Sequence, residues 1–456
     1  MPAQLSILYL HHQNTNQMFR RTKRCFLFYL VLQYSPLIFA QEKPQLTLNQ
    51  TWSKALEFSR EININNLEVH ASKEEISESK RERFPEISLK GNYEYATNIP
   101  VYEKGLLNKP TQHEVIHLLY KMSTEYYFNV YNGNKLNLEI DKKKIVHEMS
   151  EIQKNLTVSE IKLQASFYYL DLQRSIIFKD LMIKDIVNQE KQLLEIKDLY
   201  KYGTVLKSDV LRIELKLSNQ KMMLVRIEND IAIANQKLNI LIGLPDHELV
   251  NPSDIINPEL IELKSYEECL EIAEKNAYEY HISEKNVAIK KIDLKNVKAN
   301  VKPKVGLYGE FYLANPQIFL FPYSPSNYTL GIFGVRASIP LSELYINKPK
   351  ERIAKINLEK EELEHHHTDD KMREEVFKNY SRFKEALIQI EVSEKDINQS
   401  DENARIVKQN YFNQSALITD LLDADIQLLQ SKFKYASSKI EAQIQYYQLL
   451  NVLGTL

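Results

Sequence analysis

A tandem repeat with long stretches free of glycine and proline constrains this chain more than any other feature. Ala55–Pro85 and Ala273–Pro303 align at a constant offset of 218 residues, and each uninterrupted run stops at its proline. A proline ends a helix, and strand-patterned residues follow at once in both copies. Across the repeat Ile87 matches Val305, Leu89 matches Leu307, Gly91 matches Gly309, Tyr93 matches Phe311 and Tyr95 matches Leu313. Side chains alternate along a strand, so these positions share one face while Glu86, Lys90, Asn92 and Glu94 share the other. An ordinary half-buried strand would look similar. A twinned strand that follows a long polar helix fits a membrane barrel wall better. In that wall Ile87, Leu89, Tyr93, Val305, Leu307 and Phe311 meet lipid, and the polar face meets a wet lumen.

The second half of the repeat matches at an offset of 211. Val210, Leu217, Leu224, Ile231 and Leu238 recur every seven residues, as do Leu421, Leu428, Tyr435, Ala442 and Leu449. Leu156, Leu163, Leu170 and Ile177 carry the same spacing upstream. Sustained heptads indicate coiled-coil packing rather than a globular core. Only 10 Gly and 15 Pro occur in 456 residues, so few turns interrupt these helices. Each repeat therefore reads as helix, strand, loop, strand, very long helix, tight turn, long helix. The predicted spans are 50–83, 86–97, 114–128, 134–199 and 206–241, then 266–300, 304–314, 327–339, 348–411 and 417–452. Residues 41–456 form one protomer, with repeat one at 41–241, a proline-marked linker at 242–265 and repeat two at 266–456.

A helix of some 65 residues is about 100 Å long. One pair of such helices cannot bury its apolar stripe in a compact core and must pack laterally against copies of itself. Four strands cannot close a barrel either, and unpaired backbone in hydrocarbon costs several kcal/mol per group. A barrel reading thus forces oligomerisation.

The N-terminus reads as an export signal over 1–40. Arg20, Arg21, Lys23 and Arg24 precede an apolar stretch from Cys25 to Ala40, and Ile38-Phe39-Ala40 suits cleavage. Met18 is a candidate start, with 1–17 as upstream sequence. Cys269 is then the one cysteine of the mature chain, which leaves no intrachain disulfide or cysteine metal site. The charged residues, 26% of the chain, balance to a net −2. Nucleic-acid binding normally needs a basic stripe, so it is not expected. No cofactor site and no catalytic constellation appears.

The chain resembles the outer-membrane factor (TolC-like) family over nearly its whole mature length. The resemblance rests on the repeat, the proline–strand junctions, Tyr131-Asn132-Gly133, Ser338-Ile339-Pro340-Leu341 and Thr419-Asp420-Leu421-Leu422-Asp423-Ala424, and the terminal Leu453-Gly454-Thr455-Leu456. It implies a mainly α protein with a membrane β-barrel portion. Three protomers would form a twelve-stranded barrel in the outer-membrane lipid and a long antiparallel coiled-coil tunnel across the periplasm. Such a homotrimer acts as a passive exit duct, joined by a periplasmic adaptor (membrane fusion) protein to an inner-membrane transporter. A periplasmic coiled-coil scaffold without a pore is the alternative.

Asp420 and Asp423 stand at i and i+3 after the second helix turn and share a helical face. They could be solvated helix-start carboxylates favoured by the dipole. The resemblance instead makes them the closed periplasmic aperture, where three protomers gather like charges that cations relieve. Asp209 is the counterpart of Asp420, and Arg212 replaces Asp423, a candidate partner for a neighbouring Asp. The turns, with Gly203, Thr204 and Val205 in the first and Asn413, Gln414, Ser415 and Ala416 in the second, are the adaptor-docking positions that the resemblance implies. Family members often carry Gly in both turns, whereas this chain has it only in the first. His365 and Asp369, at i and i+4, could bind a metal, but so charge-rich a stretch reads as a solvated face.

Overall fold

The computed structural model describes residues 45–253, 263–317, 322 and 324–456. The export signal and the middle of the 242–265 linker lie outside these residues. The described chain divides into two units. Gln45 and Leu249–Asn251 belong to the smaller one, as short extended segments. Everything below concerns the larger.

Repeat one runs through α1 (Leu48–Phe58), α2 (Arg60–Arg81), β1 (Glu86–Tyr95), β2 (Ile99–Val101), β3 (Thr111–His113), β4 (Leu118–Tyr131), α3 (Lys135–Lys201) and α4 (Lys207–Ile242). Repeat two follows with α5 (Tyr266–Asn276), α6 (Tyr278–Lys298), β5 (Lys304–Asn315), β6 (Tyr328–Ser338), α7 (Glu343–Phe412) and α8 (Ile418–Val452). Three differences from the sequence expectation stand out. The first helix of each repeat is broken, at Ser59 (ψ 121°) and at Ala277 (ψ 119°), which lie 218 residues apart. Extended backbone there restarts the helix, and Ser59 Oγ accepts from the Ile62 amide at 3.2 Å. In repeat two the very long helix begins earlier than expected, at Glu343, and carries Pro349 inside it at the loss of one backbone bond. The β2–β3 ladder, an excursion between the first two long strands, was not anticipated.

The four long strands form one antiparallel sheet in the order β1-β4-β5-β6. The sheet is open, with β1 and β6 as its edges. Below it α3 pairs with α4 and α7 with α8, giving two helical hairpins. By its residue count α3 alone is about 100 Å long. The short helices pack on these hairpins. Leu48 and Trp52 of α1 meet Tyr169, Leu170, Ile440 and Tyr447, while Cys269 and Ala273 of α5 meet Met372, Val376 and Phe383. Trp52 Nε1 donates to Ser166 Oγ at 2.9 Å, and its ring meets Tyr447 edge-on.

The two hairpin seams differ in their packing. Ile213, Leu238 and Ile242 of α4 are wholly buried. The α7–α8 seam adds small residues to large ones: Ala386 and Ala442 are buried beside Ile390, and serine hydroxyls meet at 2.8 Å in the pairs Ser393–Ser438 and Ser400–Ser431. Among the described residues no helix is long and apolar enough to cross a membrane.

Candidate functional site

The sheet sorts its residues by charge. Its strands carry eight charged residues: Glu86, Lys90, Glu94, Lys121, Glu125, Lys304, Glu310 and Arg336. The strand register places all of them on one face, in rows such as Ser88–Glu125–Glu310–Ile332. The other face has none. Its rows read Ile87–Tyr126–Gly309–Phe333 and Leu89–Thr124–Phe311–Gly331, and Tyr93 stands opposite Tyr120. Leu89 is 67% exposed, Phe311 56% and Phe333 80%. On the charged face Lys90 pairs with Glu125 and Lys121 with Glu310, each at 2.6 Å, while Arg336 lies over the Tyr308 ring. Exposed apolar side chains gathered on a charge-free face are the pattern of a surface covered by lipid or protein.

At the far ends of the long helices the two turns share one hydrogen-bonding plan. In the first, the Gly203 amide donates to Tyr200 O at 3.0 Å, and the Thr204 amide and hydroxyl both donate to Leu199 O. In the second, the Gln414 amide donates to Tyr411 O at 2.9 Å, and the Ser415 amide and hydroxyl both donate to Asn410 O. Gly203 has φ 75° and Gln414 φ 62°, so glutamine takes the left-handed position that glycine fills in the other copy. The absence of glycine therefore leaves the second turn's shape intact, at the expense of strain. Gln414→Gly should raise stability by up to about 1 kcal/mol, because relief of that strain outweighs glycine's extra unfolded-state entropy. A melting temperature that fails to rise would mean that the turn is unstrained. Nothing lies within 4 Å of where a Cβ would stand on Gly203, so this turn is open to a partner.

Asp209 and Asp420 occupy equivalent positions after these turns. Each carboxylate accepts the amide that opens its helix, Leu206 N–H at 3.4 Å and Leu417 N–H at 3.0 Å. Such a bond satisfies a helix-start donor and places the carboxylate favourably in the dipole. Asp423 and Arg212 are exposed, and among the described residues neither forms an ion pair within the protomer. Asp420 and Asp423 share the solvent side of α8, while Leu421 and Ala424 turn inward.

Two features of this region escaped the sequence. Tyr411 is buried with its hydroxyl unpaired. Burial first, and then the negative charge of Asp209, push its phenol up to about 12. Higher up, Lys216 meets Asp425 at 3.2 Å, with both side chains largely buried. Its sequence signal was present: Gln189, Gln220 and Asp425 fall in core phase, as in Ile418, Leu421, Asp425 and Leu428 at spacings of 3, 4 and 3. His365 and Asp369 do not converge. His365 Nδ1 is 2.7 Å from Ser283 Oγ, and Asp369 pairs with Arg373. Ser72 Oγ and His147 Nδ1, at 2.9 Å, tie the first repeat's helices in the same way.

No protein-family model and no curated protein matches the sequence. Solved structures do. The outer-membrane channel OprN is 15% identical, with a TM-score of 0.73 over 90% of each chain. CusC, described by its transmembrane channel formation, is 13% identical, with a TM-score of 0.76 over 89% of this chain and 92% of its own. The outer membrane protein VceC of Vibrio cholerae is 14% identical, with a TM-score of 0.71 over 89% of this chain and 96% of its own. The chain has the fold of these outer-membrane channels, the TolC-like fold that its repeat resembles.

Proposed function

We propose that this chain is the outer-membrane exit duct of a tripartite efflux or type I secretion system. It is a passive conduit, coupled through a periplasmic adaptor to an inner-membrane transporter. One observation carries the proposal: a four-stranded antiparallel sheet with one charge-free face and two open edges sits on helical hairpins too long to pack alone. An even strand count leaves the edges running in opposite directions. β6 of one protomer can therefore continue antiparallel onto β1 of the next, and a head-to-tail contact that closes forms a ring. Closure removes every edge from the hydrocarbon. The charge-free face then meets lipid and the ion-paired face lines the lumen.

The helices support the same assembly. A second apolar stripe lies outside the protomer's own seams, with Leu194, Leu215 and Met222 exposed on the first hairpin and Ile356, Leu363 and Phe377 on α7. Neighbouring protomers would cover it as coiled-coil partners. At the tips, Asp420 and Asp423 would line the aperture with Asp209 and Arg212 beside them. Gly203, Thr204, Val205, Asn413, Gln414, Ser415 and Ala416 would receive the adaptor. The like-shaped turns favour docking at both.

In detergent, the chain should be a trimer by light scattering with the detergent mass subtracted, and it should fractionate with the outer membrane. A monodisperse monomer that keeps its sheet signal, or soluble periplasmic material, would sink the duct and favour the pore-free scaffold.

A further inference from the structure

The two hairpins meet where α8 lies along α3, and most of that contact is apolar. Met182, Ile186 and Ile196 of α3 share a cluster with Ile418 and Leu421 of α8, and Phe178 and Phe433 rings touch at 4.6 Å. A polar layer interrupts it toward the turns, apart from the bond from Asn451 of α8 to Ser159 of α3 farther along. Lys216 of α4 reaches across to Asp425 of α8, an ion pair that joins the two hairpins. Gln189 of α3 donates its Nε2 to the same Asp425 carboxylate at 3.0 Å, and Gln220 of α4 donates to Asp185 of α3. The charged groups facing Asp185 are Lys216 from α4 and Asp425 and Lys432 from α8.

This layer is short of donors. Gln189 and Gln220 are 2% and 7% exposed, and both leave their carbonyl oxygens buried without a partner. Two carboxylates also share one nearby buried ammonium. Buried acceptors without donors, and a buried carboxylate without its own cation, are costly. A proton on Asp185 removes one of the two competing charges, and the carboxyl can then donate to the Gln220 carbonyl oxygen while its other oxygen still accepts from the Gln220 amide; the Gln189 oxygen is unaffected.

The geometry points to a proton-dependent clasp between the hairpins, in which a proton on Asp185 leaves Lys216 to Asp425 alone and ends the repulsion between the two carboxylates, so that α8 is held more firmly to the first hairpin. Burial, the largest influence on Asp185, pushes its carboxyl up, ahead of the opposing pull of Lys216. A carboxyl that is raised in the packed state stabilises it below the unfolded value, and that stability is lost as pH rises through the raised value. Acidification from neutral pH should therefore tighten the clasp. In the duct this contact would set how freely the second hairpin's tip leaves the first.

Hydrogen exchange of the α8 amides between Ile418 and Phe433, corrected for the intrinsic pH dependence, tests this on the full chain in detergent. Protection should fall as pH rises from about 4, the ordinary carboxylate range, to about 8, by up to about tenfold for each unit that Asp185 is raised. Asp185→Asn mimics the protonated form and should keep high protection with no such fall. Gln220→Glu adds a second acid to the layer and should move the fall to higher pH. A wild-type profile without pH dependence, or variants that follow the wild type, would overturn the clasp. The exchange reads the hairpin contact whether or not the chain forms a pore, so failure here leaves the duct standing.

Discussion

Leu89→Arg, Leu307→Arg or Phe311→Arg, made singly, should prevent assembly of the chain in the outer membrane, whereas Lys90→Gln should not. The three apolar residues lie on the sheet face that carries no charge. An arginine on a barrel's lipid face costs roughly 2–4 kcal/mol at the bilayer midplane. A trimer presents each substitution three times, so the penalty on the assembled barrel approaches the stability of a whole domain. Lys90 stands on the opposite face with 59% of its side chain exposed, in an ion pair with Glu125. Removal of an exposed, solvent-screened pair of this kind costs little. Outer-membrane fractionation followed by trimer quantification separates the two cases. Equal tolerance on both faces would mean that the charge-free face meets something other than lipid.

That contrast was legible in the residues alone, because the register of a strand follows from a period of two. The repeat fixed which strands are twins, and the heptads fixed three of the four hairpin helices to within two residues, as in 134–199 against Lys135–Lys201 and 417–452 against Ile418–Val452. What stayed hidden was local backbone chemistry. Ser59 and Ala277 look like ordinary helix residues, and nothing in a helical pattern marks where one extended residue restarts it. Pro349 drew the start of α7 too late, since proline is tolerated near a helix N-terminus as well as at its end. Gln414 shows the limit of reading turns by composition. Glycine eases a left-handed position but is not required there, and the hydrogen bonds of Ser415 hold the turn without it. Lys216 and Asp425 were invisible as partners because they lie in different repeats, and only the packing of α8 along α3 brings them together.

The two carboxylates after the second turn give the other large expected effect. If Asp420 and Asp423 line the pore axis, three protomers set six negative charges around the periplasmic entrance. The closed channel should then conduct poorly, prefer cations and be blocked by multivalent cations from that side. The bond from Leu417 N–H to Asp420 decides how to test this. Asp420→Ala would remove the ring charge and a helix-start acceptor together, at a structural cost of about 1 kcal/mol. Asp420→Asn with Asp423→Asn removes the same six charges, and the amide oxygen introduced by the first substitution can still accept the Leu417 amide. Neither residue packs in the seam formed by Leu421 and Ala424, so the double variant should fold and assemble as the wild type does. Planar-bilayer recordings should show lost cation preference, lost block by multivalent cations and higher conductance. Unchanged selectivity and block in an inserted trimer would place both carboxylates outside the pore. Asp420 would then serve only to start its helix, as Asp209 does at the equivalent position of the first repeat.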